Sequence, residues 1–150
     1  MKRYFFSFLM RGEAERMIFE VAEQEQIRLS ACLETFDPSQ TIGFFGFDST
    51  DGQSVHLNLA ELQVARQLWE PIWISREAEE YEGGVKLKFR DRPEIFDEFV
   101  EPEDCMTLVE GLADESTLFV TFVDGDGEEY VFAKPHLIWA IVPTKYLQGN

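Results

Sequence analysis

The sequence contains FFGFDSTDGQSVHLNLAELQVA at residues 44–65 and FVTFVDGDGEEYVFAKPHLIWA at residues 119–140, and the two stretches align without a gap. The displacement is 119 − 44 = 75 positions, half of the 150-residue chain. Six of the 22 aligned positions hold the same residue, where composition alone gives about one or two. The identical pairs are Phe44/Phe119, Phe47/Phe122, Asp51/Asp126, Gly52/Gly127, Leu62/Leu137 and Ala65/Ala140. A fixed displacement of this kind predicts an internal repeat.

A second pair of stretches supports the repeat. YFFSFLMRGE at residues 4–13 lies over VKLKFRDRPE at residues 85–94 at a displacement of 85 − 4 = 81, which places Phe8 over Phe89. The two halves would then differ by six residues between the blocks (81 − 75). Gly83-Gly84 marks the break between them. We predict two β-rich repeats, residues 1–82 and 83–150, packed together as one compact unit.

Several strands follow from residue patterns. Val85–Phe89 alternates apolar and charged residues, which is the period of a strand with one buried face. Tyr4–Met10 is the expected first strand of the first half. Asp-Gly pairs favour tight hairpin turns. We therefore predict one hairpin whose turn contains Asp51-Gly52 and a second hairpin whose turn contains residues 124–127. We also predict a strand over residues 137–142, because this segment is short and rich in β-branched residues.

The helices are predicted from apolar residues at helical spacing. Residues 13–25 fit an amphipathic helix and residues 27–36 a strand. In the second half Pro93 fits a first helical position, and the apolar residues after Asp104 indicate a short helix that extends to Leu112. Residues 59–69 favour a helix, whereas their repeat partner favours a strand. The predicted fold class is therefore α+β and β-rich, with two tandem small antiparallel sheets that each carry one or two short helices.

Two segments resemble the small β-barrel of the Sm/LSm family, particularly its bacterial Hfq branch. They are residues 27–29 (IRL) followed by residues 33–37 (LETFD), and residues 131–143 (VFAKPHLIWAIVP). In that branch a Lys-His pair between the last two strands helps to hold a nucleotide. The resemblance implies Phe132, Lys134 and His136 as a nucleotide-binding set, although Pro135 here separates the lysine from the histidine. It also implies Sm-like half-barrels: two strongly bent antiparallel sheets that are packed on each other or closed into a ring.

The net charge disfavours nucleic acid and anionic membranes as partners. Thirteen basic and 29 acidic residues give a formal charge of −16, and such a field repels phosphates unless basic groups gather on one face. The only basic cluster extends from Lys86 to Arg92, and strand alternation places Lys86 and Lys88 on one outward face. The acidic run at residues 124–129 instead predicts attraction to a basic protein surface. Its partner-binding candidates are Asp124, Asp126, Glu128 and Glu129.

No motif indicates catalysis, a cofactor or a metal. The acidic run lacks the remaining ligands of a calcium loop, and neither His56 nor His136 accompanies a nucleophile or zinc motif. Cys32 and Cys105 form no cysteine cluster, so we expect two buried free thiols rather than a redox or zinc site. We therefore expect a non-enzymatic protein without a cofactor.

The residues leave three functions open. The first is a cytoplasmic binding or adaptor protein that recognises a basic protein partner or itself, because exposed hairpin edges pair readily and would support a homo-oligomer. The second is an Sm-like nucleic-acid-associated protein. The third is an inhibitor or immunity protein whose carboxylates imitate phosphates toward a cationic nuclease. No apolar run reaches the length of a membrane span.

Overall fold

The fold was analysed in a computed structural model, which describes residues 3–37, 43–68 and 81–147. These residues form a β-rich α+β fold of ten strands and two α-helices. Three short 3-10 helices, Leu59–Glu61, Lys134–His136 and Thr144–Tyr146, follow strands. In chain order the strands and helices are β1 (Tyr4–Met10), β2 (Met17–Val21), α1 (Glu23–Thr35), β3 (Phe44–Asp48), β4 (Gln53–Asn58), β5 (Leu62–Leu68), β6 (Val85–Phe89), β7 (Ile95–Glu98), α2 (Pro102–Ala113), β8 (Phe119–Val123), β9 (Glu129–Ala133) and β10 (Leu137–Pro143). This confirms the predicted fold class.

All strand pairs are antiparallel and fall into three sheets. Their orders are β2-β1-β5, β3-β4-β10-β6-β7 and β8-β9. The central sheet joins β3 and β4 of the first half to β10, β6 and β7 of the second half. Within the described residues the strands do not close into a barrel. The predicted boundary between the repeats, at residues 82 and 83, stays a prediction. β4 of the first repeat pairs with β10 of the second.

The two halves have the same order of elements and the same strand registers. α1 begins at Glu23 and α2 at Pro102, a displacement of 102 − 23 = 79, and β3 and β8 are displaced by 75. The displacement of 79 also relates the β1–β2 pair to the β6–β7 pair, so the predicted displacement of 81 is wrong. The extra length of the first half is four residues (79 − 75) and lies between α1 and β3. Residues related by these displacements are called equivalent below.

The two predicted hairpins, β3–β4 and β8–β9, are confirmed and share one turn geometry. The N–H of Ser49 donates to the Gln53 carbonyl at 2.8 Å, and Asp124 donates equivalently to Glu128 at 2.9 Å. Gly52 and Gly127 have φ angles of 93° and 84°. Only glycine adopts this left-handed backbone readily, which explains why these two residues are identical in the two stretches.

Two first-half predictions are wrong. The expected helix over residues 13–25 is wrong for most of its length: Met17–Val21 form β2, which pairs with β1 after a turn at Gly12 (φ 82°), and only residues 23–25 are helical, at the start of α1. The expected strand over residues 27–36 is α1. Alternation of apolar residues suggested a strand, but Leu29, Cys32, Leu33 and Phe36 also follow helical spacing, and these residues contribute to the core.

Three further predictions can be compared with the structure. Pro93 does not begin a helix, because it lies in the β6–β7 turn; the first-turn proline is Pro102 of α2. The helix predicted after Asp104 is confirmed. Residues 59–68 contain one 3-10 turn and then β5, so the strand suggested by the repeat partner is correct and the helix is wrong; residue 69 lies outside the described residues. The strand over residues 137–142 is confirmed as β10.

The core has two clusters that meet along β10. One cluster is built mainly from the first half and includes Phe8, Leu29 and Phe47, together with Trp139 and Ile141 of β10. The other contains second-half residues such as Leu108 and Phe122, and Phe44 packs against it. Because each cluster takes residues from both sides of the β4–β10 junction, burial of apolar area holds the two halves together.

Candidate functional site

An acidic surface forms where two second-half segments meet. The N–H of Gly125, in the β8–β9 turn, donates to the Phe99 carbonyl between β7 and α2 at 2.9 Å. Exposed carboxylates flank Phe99, a residue that is itself 52% exposed. We call this surface the acidic ridge and define it by Glu98, Glu101, Asp126 and Glu128. It combines negative charge with one exposed aromatic ring.

The electrostatics of Tyr130 show that carboxylates from both segments act on one place. Burial, followed by the carboxylates of Asp124, Glu128 and Glu98, raises the pKa of the Tyr130 phenol above its ordinary value. Glu98 comes from β7, whereas Asp124 and Glu128 come from the turn. Carboxylates of the two segments therefore lie near the same phenol.

The four predicted partner-binding residues divide into two groups. Asp124 is buried, and its Oδ1 accepts hydrogen bonds from the N–H groups of Asp126 at 2.9 Å and Glu128 at 3.0 Å. Its side chain therefore organises the turn. Asp126, Glu128 and Glu129 are exposed, and Glu129 begins β9. Three of the four candidates thus present carboxylates to solvent.

The structure places Phe132, Lys134 and His136 in three different environments. The Phe132 ring packs edge-on against Phe89, with the ring centroids 5.4 Å apart. Lys134 is 2% exposed, and its ammonium donates to the Asp114 carbonyl at the end of α2. His136 is exposed. Lys134 also lines a cavity of about 310 Å³ between Phe44 and Leu112. The three residues remain a predicted nucleotide-binding set.

The structure brings together one charged cluster that sequence reasoning missed. The Glu61 carboxylate is 1% exposed and lies between Arg90, whose Nη2 donates to Oε1, and Arg11, whose Nε is 3.3 Å from Oε2. Arg11 and Arg90 are equivalent residues that follow β1 and β6. Their N–H groups donate to the carbonyls of the equivalent residues Glu61 and His136, each at 2.7 Å. Glu61 therefore links the two halves, and the equivalence of the two arginines was the available sequence signal.

The predicted basic face of β6 is wrong in one respect. Lys86 is half-buried and its ammonium lies 5.6 Å from the centroid of the Tyr81 ring. Lys88 is 7% exposed, and its ammonium donates to the Arg92 carbonyl. The Tyr81 ring and the β6–β7 turn therefore lie beside these two lysines, on the face that alternation predicts to be open.

Neither cysteine has the features of a reactive thiol. Both are free; Cys105 is buried and Cys32 is half-buried, so the prediction of two buried thiols is correct only for Cys105. Burial, followed by the charges of Asp104 and Glu101, raises the pKa of Cys105 to about 12. Burial also raises the pKa of Cys32. A high thiol pKa suppresses the nucleophilic thiolate.

No protein-family model matches the chain, and neither a curated protein nor a solved structure matches it significantly. Across the described ranges, no group of three or more His, Cys, Asp or Glu side chains is arranged to hold a metal ion. Among the same residues, no helix is long and apolar enough to cross a membrane.

Proposed function

We propose that this protein is a non-catalytic binding module that recognises a basic protein partner through the acidic ridge. The observation that carries the proposal is the hydrogen bond from Gly125 to Phe99, which joins two acidic segments around an exposed phenylalanine. Oriented negative charge accelerates encounter with a cationic surface. The exposed ring adds apolar contact of the kind that concentrates binding energy in protein interfaces.

The distribution of basic residues supports this choice of partner. In the second half the side chains of Lys88 and Lys134 are buried and donate to backbone carbonyls, so neither ammonium is presented to a partner at the surface. The carboxylates of the acidic ridge are exposed, and Glu98 and Glu128 both act on Tyr130. A cationic partner would therefore meet exposed carboxylates from two segments on one surface.

The test compares two variants with the same change in net charge. One neutralises the acidic ridge by Glu98→Gln, Glu101→Gln, Asp126→Asn and Glu128→Gln. The control neutralises exposed carboxylates elsewhere by Glu15→Gln, Glu23→Gln, Glu34→Gln and Glu110→Gln. Tagged wild-type protein and both variants are used to capture proteins from a native lysate at low salt, with quantification by mass spectrometry.

The proposal requires a basic protein that the wild type and the control variant capture and the ridge variant loses. Its capture should weaken as salt rises, because screening reduces attraction between exposed charges. Equal capture by the two variants would assign the binding to net charge and contradict the role of the ridge. Enrichment of no salt-sensitive protein would contradict the proposed function itself.

A further inference from the structure

The strands follow one another along a single path with two ends. From β5 the path leads through β1 to β2, and the bridge between Val21 and Ser49 connects β2 to the β3–β4 hairpin. β10, β6 and β7 follow, and the hydrogen bond from Gly125 to Phe99 connects β7 to β8 and β9. No strand among residues 3–37, 43–68 and 81–147 pairs with the outer edge of β5 or of β9.

These two edges are the complementary halves of a junction that the chain already forms once. β4 pairs with β10 between the two halves. β9 is equivalent to β4, and β5 is equivalent to β10, so each end of the path carries one of the two edges. We propose that β9 of one molecule pairs antiparallel with β5 of a second molecule, and that copies of this chain thereby assemble head to tail.

The internal junction specifies the register of the proposed contact. Leu57 lies opposite Trp139, and Val55 lies opposite Ile141. The displacement of 75 converts these pairs into Phe132 opposite Val64 and Tyr130 opposite Arg66. The same shift places Val131, the equivalent of His56, opposite Ala65. The contact therefore brings an arginine beside a tyrosine, a pair of residues that can attract through the cation–π interaction.

Burial supports the proposal independently of strand pairing. In the first half, the internal junction leaves His56 only 8% exposed, and Phe44 packs against the second-half core cluster. Their equivalents at the open end, Val131 and Phe119, are each 58% exposed. At the other end Val64 is 48% exposed. The internal junction thus covers side chains whose equivalents are exposed at the two edges where a second junction would form.

The proposed contact should be weaker than the internal one. Asn58 Nδ2 donates to the Leu137 carbonyl at 3.1 Å across the internal junction, but its equivalent is Ala133. The Glu61–Arg90 ion pair has no counterpart, because His136 stands in place of Glu61. We therefore expect reversible, concentration-dependent assembly. Added salt should favour it by screening the repulsion between molecules of charge −16.

A contact between two different surfaces of one chain produces either rings or open filaments. Sedimentation velocity and light scattering on the full chain distinguish these forms by whether the mass reaches a limit as concentration rises. Either form requires a second copy at each edge. A wild-type protein that stays monomeric at its highest soluble concentration, at low and at high salt, would overturn the proposal.

Single lysine substitutions test each edge separately. Val131→Lys blocks the β9 edge and Val64→Lys blocks the β5 edge, and both should reduce the wild-type assembly to monomers. Ile95→Lys on β7 is the matched control, because Ile95 is 50% exposed and lies at neither end. All three changes lower the net negative charge equally, so added repulsion cannot explain a loss. Assembly that survives both edge substitutions would contradict the proposal.

Mixing the two blocked variants tests the polarity of the contact. Val131→Lys keeps a working β5 edge, and Val64→Lys keeps a working β9 edge. An equimolar mixture should form dimers of one molecule of each variant and nothing larger. Formation of these dimers also shows that both variants are folded. Absence of mixed dimers would overturn the head-to-tail arrangement.

His136→Glu should strengthen assembly, because it restores at the outer junction the carboxylate that Glu61 supplies at the internal one. In the shifted register this carboxylate meets Arg11 of the next molecule, whose side chain is 62% exposed. We expect the dissociation constant to fall several-fold, and Arg11→Met should remove the gain. An unchanged or weaker assembly would contradict the assigned register. The salt response, opposite to that of basic-partner binding, separates this inference from the proposed function.

Discussion

His56 and Val131 occupy equivalent positions in the two hairpins, but His56 is 8% exposed and Val131 is 58% exposed. The difference follows from β10, which places Ala140 opposite His56. Val131 has Thr121 of β8 opposite it on one side, and no described strand pairs with β9 on the other side. Ser54 Oγ lies 3.0 Å from His56 Nε2. A Cβ atom on Gly46 would lie 2.7 Å from Nδ1 of the same ring. The imidazole is therefore enclosed, and no carboxylate of the described residues is bonded to it.

This enclosure predicts that the free energy of unfolding decreases as the pH falls from 6.5 toward 4. Burial lowers the pKa of His56 from 6.5 to about 4. Between these values the unfolded chain binds a proton that the folded chain excludes, so acid favours unfolding. The loss is at most about 2 kcal/mol between pH 6.5 and pH 5. Urea denaturation over this pH range measures it.

The contribution of His56 is separated by two matched variants. His56→Gln keeps a polar group beside Ser54 but cannot take up a proton, so its stability should vary less with pH. His136→Gln changes the exposed histidine and should keep the wild-type variation. A His56→Gln protein with the full wild-type pH dependence would assign the effect to other groups.

The confirmed and the wrong secondary-structure predictions have physical causes in the sequence. The Asp-Gly turns predicted both hairpins because Gly52 and Gly127 are needed for a left-handed backbone. The apolar residues of α1 fit both a strand and a helix, so local periodicity could not decide between them. With the displacement of 79, the alignment of the two halves places Leu29 over Leu108. The helix that was predicted around Leu108 would then have predicted a helix around Leu29 as well.

The junction between the halves could not be predicted from the sequence alone. Trp139 Nε1 donates to Glu13 Oε1 at 3.2 Å, although the two residues are 126 positions apart. Glu61 and Arg90 are likewise 29 positions apart. No motif links such residues, because their contact depends on the register of β4 against β10. Asp126 and Glu128 of the acidic ridge were visible in the sequence as part of the run at residues 124–129, but their junction with the segment of Phe99 required the structure.

Glu61→Gln should lower the free energy of unfolding by about 2 kcal/mol, because it leaves Arg11 and Arg90 beside a neutral, buried amide. The value is below that of a fully buried pair, since the two arginines are partly exposed. Urea denaturation at neutral pH measures it, and Glu15→Gln is the exposed control. In a double-mutant cycle, Arg90→Met should lower the free energy of unfolding less in the Glu61→Gln protein than in the wild type. Additive effects would show that the two side chains are not coupled.

Lys134→Met should destabilise the fold by about 1–3 kcal/mol, the cost of a buried hydrogen bond. Methionine keeps most of the apolar stem but removes the ammonium that donates to the Asp114 carbonyl. Lys145→Met changes an exposed lysine and should have little effect. Thermal or urea unfolding measures both variants. If Lys134→Met is as stable as the wild type, the ammonium is not needed at the end of α2 and is available for a ligand.

Asp124→Ala should destabilise the β8–β9 turn by about 1–3 kcal/mol, because two N–H groups lose their acceptor. Asp124→Asn should retain most of the stability, since the amide oxygen can accept the same bonds. The equivalent Ser49 supports this structural role, as its Oγ accepts from the N–H of Gln53 at 3.1 Å. Urea denaturation measures these variants, and Asp126→Asn serves as the exposed control.

The same substitutions separate turn formation from partner recognition. If the carboxylate of Asp124 acts only within the turn, Asp124→Asn should capture a basic partner about as well as the wild type. Asp126→Asn, which removes an exposed charge from the acidic ridge, should weaken that capture. A stably folded Asp124→Asn protein could instead lose as much binding as Asp126→Asn. That result would mean that the negative charge of the buried Asp124 carboxylate contributes to partner binding, in addition to its role in the turn.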